Sequence, residues 1–299
     1  MKIIQSLWSK PAQKESVENL SDVNKCSWLD RRYNYFSWTI SALQFTKFYD
    51  HVELITDKKG YDLLINKLEL PYSHVKVVLD DLNHYDAKLW TIGKLYAYSI
   101  QEEPFIHVDG DVFIWKKFSE SFEKSPLVCQ KKEEGAHYSA TYLKAFWAIA
   151  ANFDFYPDVL YKSILKNNSV KACNAGIIGG HDVKFIRMFA KLAFEFIDRN
   201  VNNLHKIDVA GANIVFEQFL FSALCEDRAE EITYFNPNAH DLINDYADYT
   251  GIPDKTVFIH TPGSFKRDCF ITDCLEYRLR RDYAPYYYKI LHLLKTNAI

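Results

Sequence analysis

Phe105-Ile106-His107-Val108-Asp109-Gly110-Asp111 is the stretch on which the reading turns. A short apolar run gives way abruptly to two carboxylates around a glycine. That pattern predicts a buried strand, Phe105 to Val108, ending in a tight polar turn. Upstream lie a helix over Ala87 to Ser99, a strand over Val75 to Leu79, and a helix that starts after the N-cap Asp57 and stops before Pro71. Before those come a strand over Val52 to Thr56, a helix over Arg31 to Phe48 with Tyr35, Trp38, Leu43 and Phe45 among its apolar positions, and a strand over Lys2 to Leu7. This β-α-β-α-β order predicts an α/β fold, with a mostly parallel, Rossmann-like doubly wound sheet flanked by helices. In such sheets ligands sit beyond the carboxyl ends of the strands, where Asp109 and Asp111 fall.

The second half is less regular. Leu127 to Gln130 and Ala175 to Ile178 read as strands, Tyr142 to Ala150 and Val159 to Leu165 as helical stretches, and Val183 to Ile197 as a long amphipathic helix. Ala212 to Leu224 is again helical, Val257 to His260 is a last short strand, and a Tyr- and Leu-rich helix closes the chain. No internal repeat or linker divides the sequence, which predicts one domain over residues 1–270 and a helical extension over 271–299 packed on it.

With 23 Asp among 299 residues, chance alone places about two Asp-x-Asp pairs in the chain, so context carries the weight. Here the pair leaves one apolar strand and precedes another apolar run, Val112-Phe113-Ile114-Trp115. Two carboxylates at that spacing can reach one hard divalent cation, and the glycine between them permits a sharp bend and close approach of a ligand. The bland alternative is a solvated turn whose Asp and Gly serve turn chemistry.

Two further segments bear on that choice. In Val257-Phe258-Ile259-His260-Thr261-Pro262-Gly263-Ser264-Phe265-Lys266 a strand runs into a loop. His260 can add an imidazole nitrogen to the same ion, which would favour Mn²⁺ over Mg²⁺. Gly263 allows backbone N–H groups near a phosphate, and Lys266 adds positive charge. In Asn174-Ala175-Gly176-Ile177-Ile178-Gly179-Gly180, Asn174 offers an amide and Gly176 leaves room beside the backbone. A structural histidine and a glycine turn are the plain alternatives.

The bulk numbers narrow the class. A composition 48% hydrophobic and 25% charged is globular. A formal net charge of -3 shows no field suited to nucleic acid. The 20 Tyr and 21 Phe serve first as core and second as stacking surfaces. Six cysteines without a Cys-x-x-Cys pair argue against a zinc knuckle or disulfide framework and for a reducing compartment. Met1 to Trp8 is too short and polar for a signal peptide, and no apolar run reaches the roughly 18 residues of a bilayer span. The expected location is the cytoplasm.

Asp109-Gly110-Asp111, Asn174-Ala175-Gly176 and His260 to Lys266, in this order, resemble the GT-A glycosyltransferases and most closely glycosyltransferase family 8. The resemblance implies a GT-A-like fold, with Asp109, Asp111 and His260 as Mn²⁺ (or Mg²⁺) ligands and Gly263 and Lys266 on the diphosphate of a nucleotide sugar, a UDP-sugar first of all. Lys88 and Lys94 sit where such enzymes place a basic residue facing the sugar phosphate, and Gly176 lies beside the donor. Glu217-Gln218-Phe219-Leu220 resembles the family's Asp-Gln-x-x-Leu segment, with Glu217 in place of the aspartate. Ser9 to Asn24 departs from the family pattern and contains no glycine.

The implied reaction moves the sugar to a hydroxyl of a glycan or lipid-linked acceptor. Retention needs no strong protein base, whereas inversion needs a carboxylate, for which Glu217 and Asp208 are the candidates beside Asn174. The basic and aromatic stretch Tyr277 to Lys295 suits contact with the inner face of an anionic membrane. Its alternative is a terminal helix packing Tyr286, Ile290 and Leu293 on the core. The rival from another class is a catalytically inactive GT-A-like protein that binds a nucleotide or glycan. A phosphoryl- or nucleotidyl-transfer enzyme would need a glycine-rich loop near the N-terminus.

Overall fold

The computed structural model describes residues 1–13, 28–237 and 248–299; most of the Ser9–Asn24 segment, and Cys26, lie outside these. Nine strands are present among them: β1 (Lys2–Leu7), β2 (Val52–Thr56), β3 (His74–Val77), β4 (Phe105–Val108), β5 (Val112–Ile114), β6 (Val128–Glu133), β7 (Ala172–Gly180), β8 (Thr233–Tyr234) and β9 (Phe258–His260). The chain forms two compact units interleaved in sequence. A terminal unit holds residues 2–13, 28–83, 108–118 and 248–299, and a middle unit holds 84–107 and 119–237.

In the terminal unit β1 runs parallel to β2, and β2 to β3. Every residue of β2 is buried, including Glu53. That carboxylate is held by Lys76 at 2.8 Å and Lys2 at 3.6 Å. The Arg31–Phe48 helix begins where the Asp30 side chain accepts from the Arg32 N–H, satisfying one orphan donor of its first turn. Its Phe36 and Ile40 pack in one cluster with Leu54, Leu64, Phe113 and Ile259. The same cluster takes Ile271, Leu275 and Leu279 from the Cys269–Asp282 helix and Tyr287 and Ile290 from the Ala284–Lys295 helix. Each such side chain contributes about 1.5–3 kcal/mol on full burial. Tyr286 and Leu293 lie partly buried against it. Apart from these parallel strands, β5 and β9 form an antiparallel ribbon that pairs Val112 with His260.

The middle unit carries its strands in the order β4-β7-β6-β8. β6 is antiparallel to β7, with an irregularity between Cys129 and Lys131, and parallel to β8. The Val183–Asp198 helix buries Phe185, Ile186, Phe189, Ala190, Ala193, Phe196 and Ile197, the stripe that helical periodicity requires of a core-facing helix. The helical run 209–227 is long and apolar enough to cross a membrane, with mean hydropathy 1.2, but 67% of its apolar window is buried inside the protein.

The α/β class and the parallel strand order are as the sequence predicts. Two elements differ. The helix expected from Ala87 begins only at Ile92. Asp86 accepts from Lys88 N and Leu89 N in a local turn, and Asn213 Oδ1 takes both Thr91 N and the Thr91 hydroxyl, so the N–H groups of Lys88, Leu89 and Thr91 are engaged outside a helix. The closing helix is two helices, parted at Tyr283 with Pro285 near the start of the second.

Candidate metal centre

The centre lies wholly in the terminal unit. β4 delivers Asp109 at its end, the chain turns through Gly110, and Asp111 immediately precedes β5. The antiparallel register then sets His260, the last residue of β9, opposite Val112. The result brings ligand atoms of Asp109, Asp111 and His260 within 4.8 Å of one another. His260 Nε2 lies 3.5 Å from Asp111 Oδ1, and Lys266 Nζ lies 2.7 Å from Asp111 Oδ2. Two carboxylates and one imidazole form a donor set suited to Mn²⁺ or a similar divalent ion.

Electrostatics keep the Asp111 carboxylate charged. Burial by itself would raise the Asp111 carboxyl, but the charge of Lys266, with His260 and hydrogen bonds from both, holds it well below the usual carboxylate range. A divalent cation and the Lys266 ammonium therefore compete for one carboxylate.

A brace under the turn fixes its backbone. Ser37 Oγ donates to the Gly110 carbonyl at 2.8 Å, and Ser41 Oγ donates to the Val112 carbonyl at 2.7 Å. Gln5 Nε2 donates to Ser41 Oγ at 2.8 Å and to the Asp109 carbonyl at 3.4 Å, while Tyr72 OH donates to Gln5 Oε1 at 2.8 Å. Trp38, on the same helix as the serines, lies against Gly110. A Cβ on that glycine would come within 2.5 Å of its ring, so nothing larger than glycine fits.

The loop after β9 is tied down as well. Thr261 N donates to the Asp111 carbonyl, and Leu29 N to the Lys266 carbonyl. Gly263 has φ +53, which glycine adopts without strain, and no neighbour stands where a side chain would be. Sequence reasoning missed Ser37, Trp38, Ser41 and Tyr72, and the bracing role of Gln5. Their available signal was two small hydroxyl residues one helical turn apart within an otherwise apolar face.

The remaining site residues of the sequence reading lie in the middle unit. Lys94, buried on the Ile92–Ser99 helix, meets Glu217 at 3.0 Å and donates to the Ala175 carbonyl at 3.1 Å; Tyr98 OH donates to Glu217 at 2.7 Å. Removing one member of such a pair would strand a buried charge at a cost of about 3–5 kcal/mol. His107 is pushed well below its ordinary value, first by burial and then by the charge of Lys94. Asn174 donates to Glu133 Oε1 at 2.8 Å and accepts from Gly176 N at 2.9 Å. Asp208 caps the Val209–Ile214 helix by accepting from Gly211 N at 3.2 Å. Lys88 is exposed.

The fold and site thus define an α/β protein with a carboxylate–imidazole centre suited to a divalent cation. The chain belongs to a family of unknown function, DUF6734, which matches residues 1–293. No curated protein matches it in sequence. Among solved structures it is similar to mouse xyloside xylosyltransferase 1 in its apo form, at 9% identity and a TM-score of 0.38 over 78% of this chain and 84% of that one. That likeness is too distant to carry a function across.

Proposed function

We propose that this protein is a metal-dependent GT-A-type glycosyltransferase that moves a sugar from a nucleoside-diphosphate donor, a UDP-sugar first of all, to a hydroxyl of a glycan or lipid-linked acceptor. The observation that carries the proposal is the meeting of Asp109, Asp111 and His260 within 4.8 Å, with Lys266 on the same carboxylate. Asp109, Asp111 and His260 would hold the cation, which when bound neutralises charge on the departing diphosphate.

Lys266 has a second role in this reading. It exchanges the Asp111 carboxylate for a diphosphate oxygen and stabilises the charge that develops there. The bond between the anomeric carbon and the diphosphate oxygen breaks as the acceptor oxygen bonds to the same face of that carbon. The acceptor proton passes to the diphosphate, so retention requires no protein base. The engagement of Glu217 by Lys94 and Tyr98, and of Asp208 at a helix start, favours that course over one using either carboxylate as a base. Cytoplasmic location belongs to the same proposal.

In thermal unfolding, Mn²⁺ with UDP is expected to raise the melting temperature, and Asp111→Ala to abolish the rise. A panel of nucleotide sugars assayed for Mn²⁺-dependent donor hydrolysis then separates an enzyme from a binder. Absence of any shift with every nucleoside diphosphate would sink the donor-site assignment.

A further inference from the structure

The terminal unit has a second concavity. The Cys269–Asp282 helix and the Tyr249–Gly251 turn border an open cavity of about 380 Å³. Sites for small ligands run to about 300–1,000 Å³. The helix lines it with Phe270, Asp273, Tyr277 and Arg281, which recur at three- and four-residue steps and so share one face. Phe270 is 60% exposed and Tyr277 53% exposed. Seven residues apart on a helix, their Cα atoms are separated by about 10 Å along the axis.

Charge decides what such a surface suits. Arg278 and Arg281 line the cavity together with Asp273. Both guanidinium groups also reach Asp282, Arg278 Nη1 at 3.5 Å and Arg281 Nε at 3.3 Å. Arg278 additionally lies 5.9 Å from the Trp115 ring centroid and donates to the Tyr249 carbonyl at 3.4 Å. Among the described residues, the two lining guanidiniums stand against the carboxylates of Asp273 and Asp282, which leaves little surplus positive charge to draw a phosphate or an anionic lipid headgroup. What the cavity offers is the exposed aromatic side chains of Phe270 and Tyr277 beside the Tyr277 hydroxyl, the Asp273 carboxylate and the Arg281 guanidinium. Those match the apolar C–H faces and the hydroxyls of a sugar ring.

We infer that this cavity binds a neutral oligosaccharide, at a place separate from the metal centre. The inference goes beyond the transferase reading and stands without it. The two places share one wall: Tyr249 OH lies 3.2 Å from Thr261 Oγ1, and Thr261 N donates to the Asp111 carbonyl at 3.0 Å.

The test presents the full chain to an array of neutral, sialylated and sulfated oligosaccharides and, in parallel, to phosphatidylglycerol vesicles. Neutral glycans are expected to be retained. Tyr277→Ala and Phe270→Ala should each weaken retention about tenfold, the equivalent of one good aromatic contact. Tyr277→Phe should keep most of it, and Asp111→Ala should leave it unchanged. Cys274 also lines the cavity, so the glycan retained best should slow its maleimide labelling in the wild-type chain, a readout that needs no variant. The inference is overturned if no neutral glycan is retained, if retention ignores both ring substitutions, if Asp111→Ala removes it, or if anionic glycans or vesicles are preferred. Loss of the Mn²⁺–UDP melting shift would instead count against the transferase reading alone.

Discussion

At the scale of single residues, the centre depends as much on what surrounds the ligands as on the ligands. Gly110 is fixed by Trp38, whose ring leaves no space for a Cβ. Gly110→Ala is expected to destabilise the protein by about 1–3 kcal/mol, as overpacking does. Trp38→Ala in the same chain should recover part of that loss, because the two residues meet. Urea unfolding of the two single variants and the double variant measures the coupling, and strict additivity would refute the contact. Lys266 shows what sequence spacing can and cannot convey. Its His-x-x-Gly-x-x-Lys position marks it as a charge near phosphate, but the pattern is silent about the Asp111 carboxylate at 2.7 Å. The brace of Gln5, Ser41 and Tyr72 was equally hidden, since its members come from three distant segments and each is an ordinary residue where it stands.

At the scale of elements, the parallel strands and amphipathic helices of the first hundred residues were legible because period and caps agree there. Asp30 and Asp57 both cap the helices they precede. The helix expected from Ala87 was misjudged because Asn213, more than a hundred residues on, competes for the backbone at Thr91. Helix pairing is held by similarly distant contacts. Glu226, near the end of the Leu220–Asp227 helix, accepts from Ser163 at 2.6 Å and Asn167 at 3.0 Å and pairs with Lys166 at 3.1 Å, all on the Asp158–Asn167 helix. Burial would raise its carboxyl, and these three partners outweigh that and lower it. A carboxyl lowered in the folded state stabilises the protein above its unfolded value, about 4.3, and the contribution fades as pH falls through the folded value. Melting temperature followed from neutral pH to below that value should therefore decline less in Glu226→Gln than in the wild type. Parallel curves would rule the contact out as a source of acid sensitivity.

At the scale of the whole molecule, the division into two interleaved units is the feature that the sequence did not announce, since no linker or composition change marks where the chain passes from one to the other. The meeting of His260 with the aspartates was anticipated from motif order. The means, a ribbon pairing β5 with β9, was not, because two three-residue strands carry almost no periodic signal. The last two helices belong to the core cluster of the terminal unit. Removing residues 269–299 should uncover Phe36 and Ile40 and lose about 1.5–3 kcal/mol for each large apolar side chain deprived of its cover. Such a truncation is expected to lose its cooperative melting transition; a sharp transition at the wild-type temperature would show that those helices hold nothing together. The interleaving also imposes an order of manufacture. Every described residue of the middle unit is joined to the chain before His260, and domains fold largely as units during synthesis. The cation centre is therefore completed only after every described residue of the middle unit has been made. Until His260 is joined, the growing protein carries two aspartates without the imidazole that completes their centre.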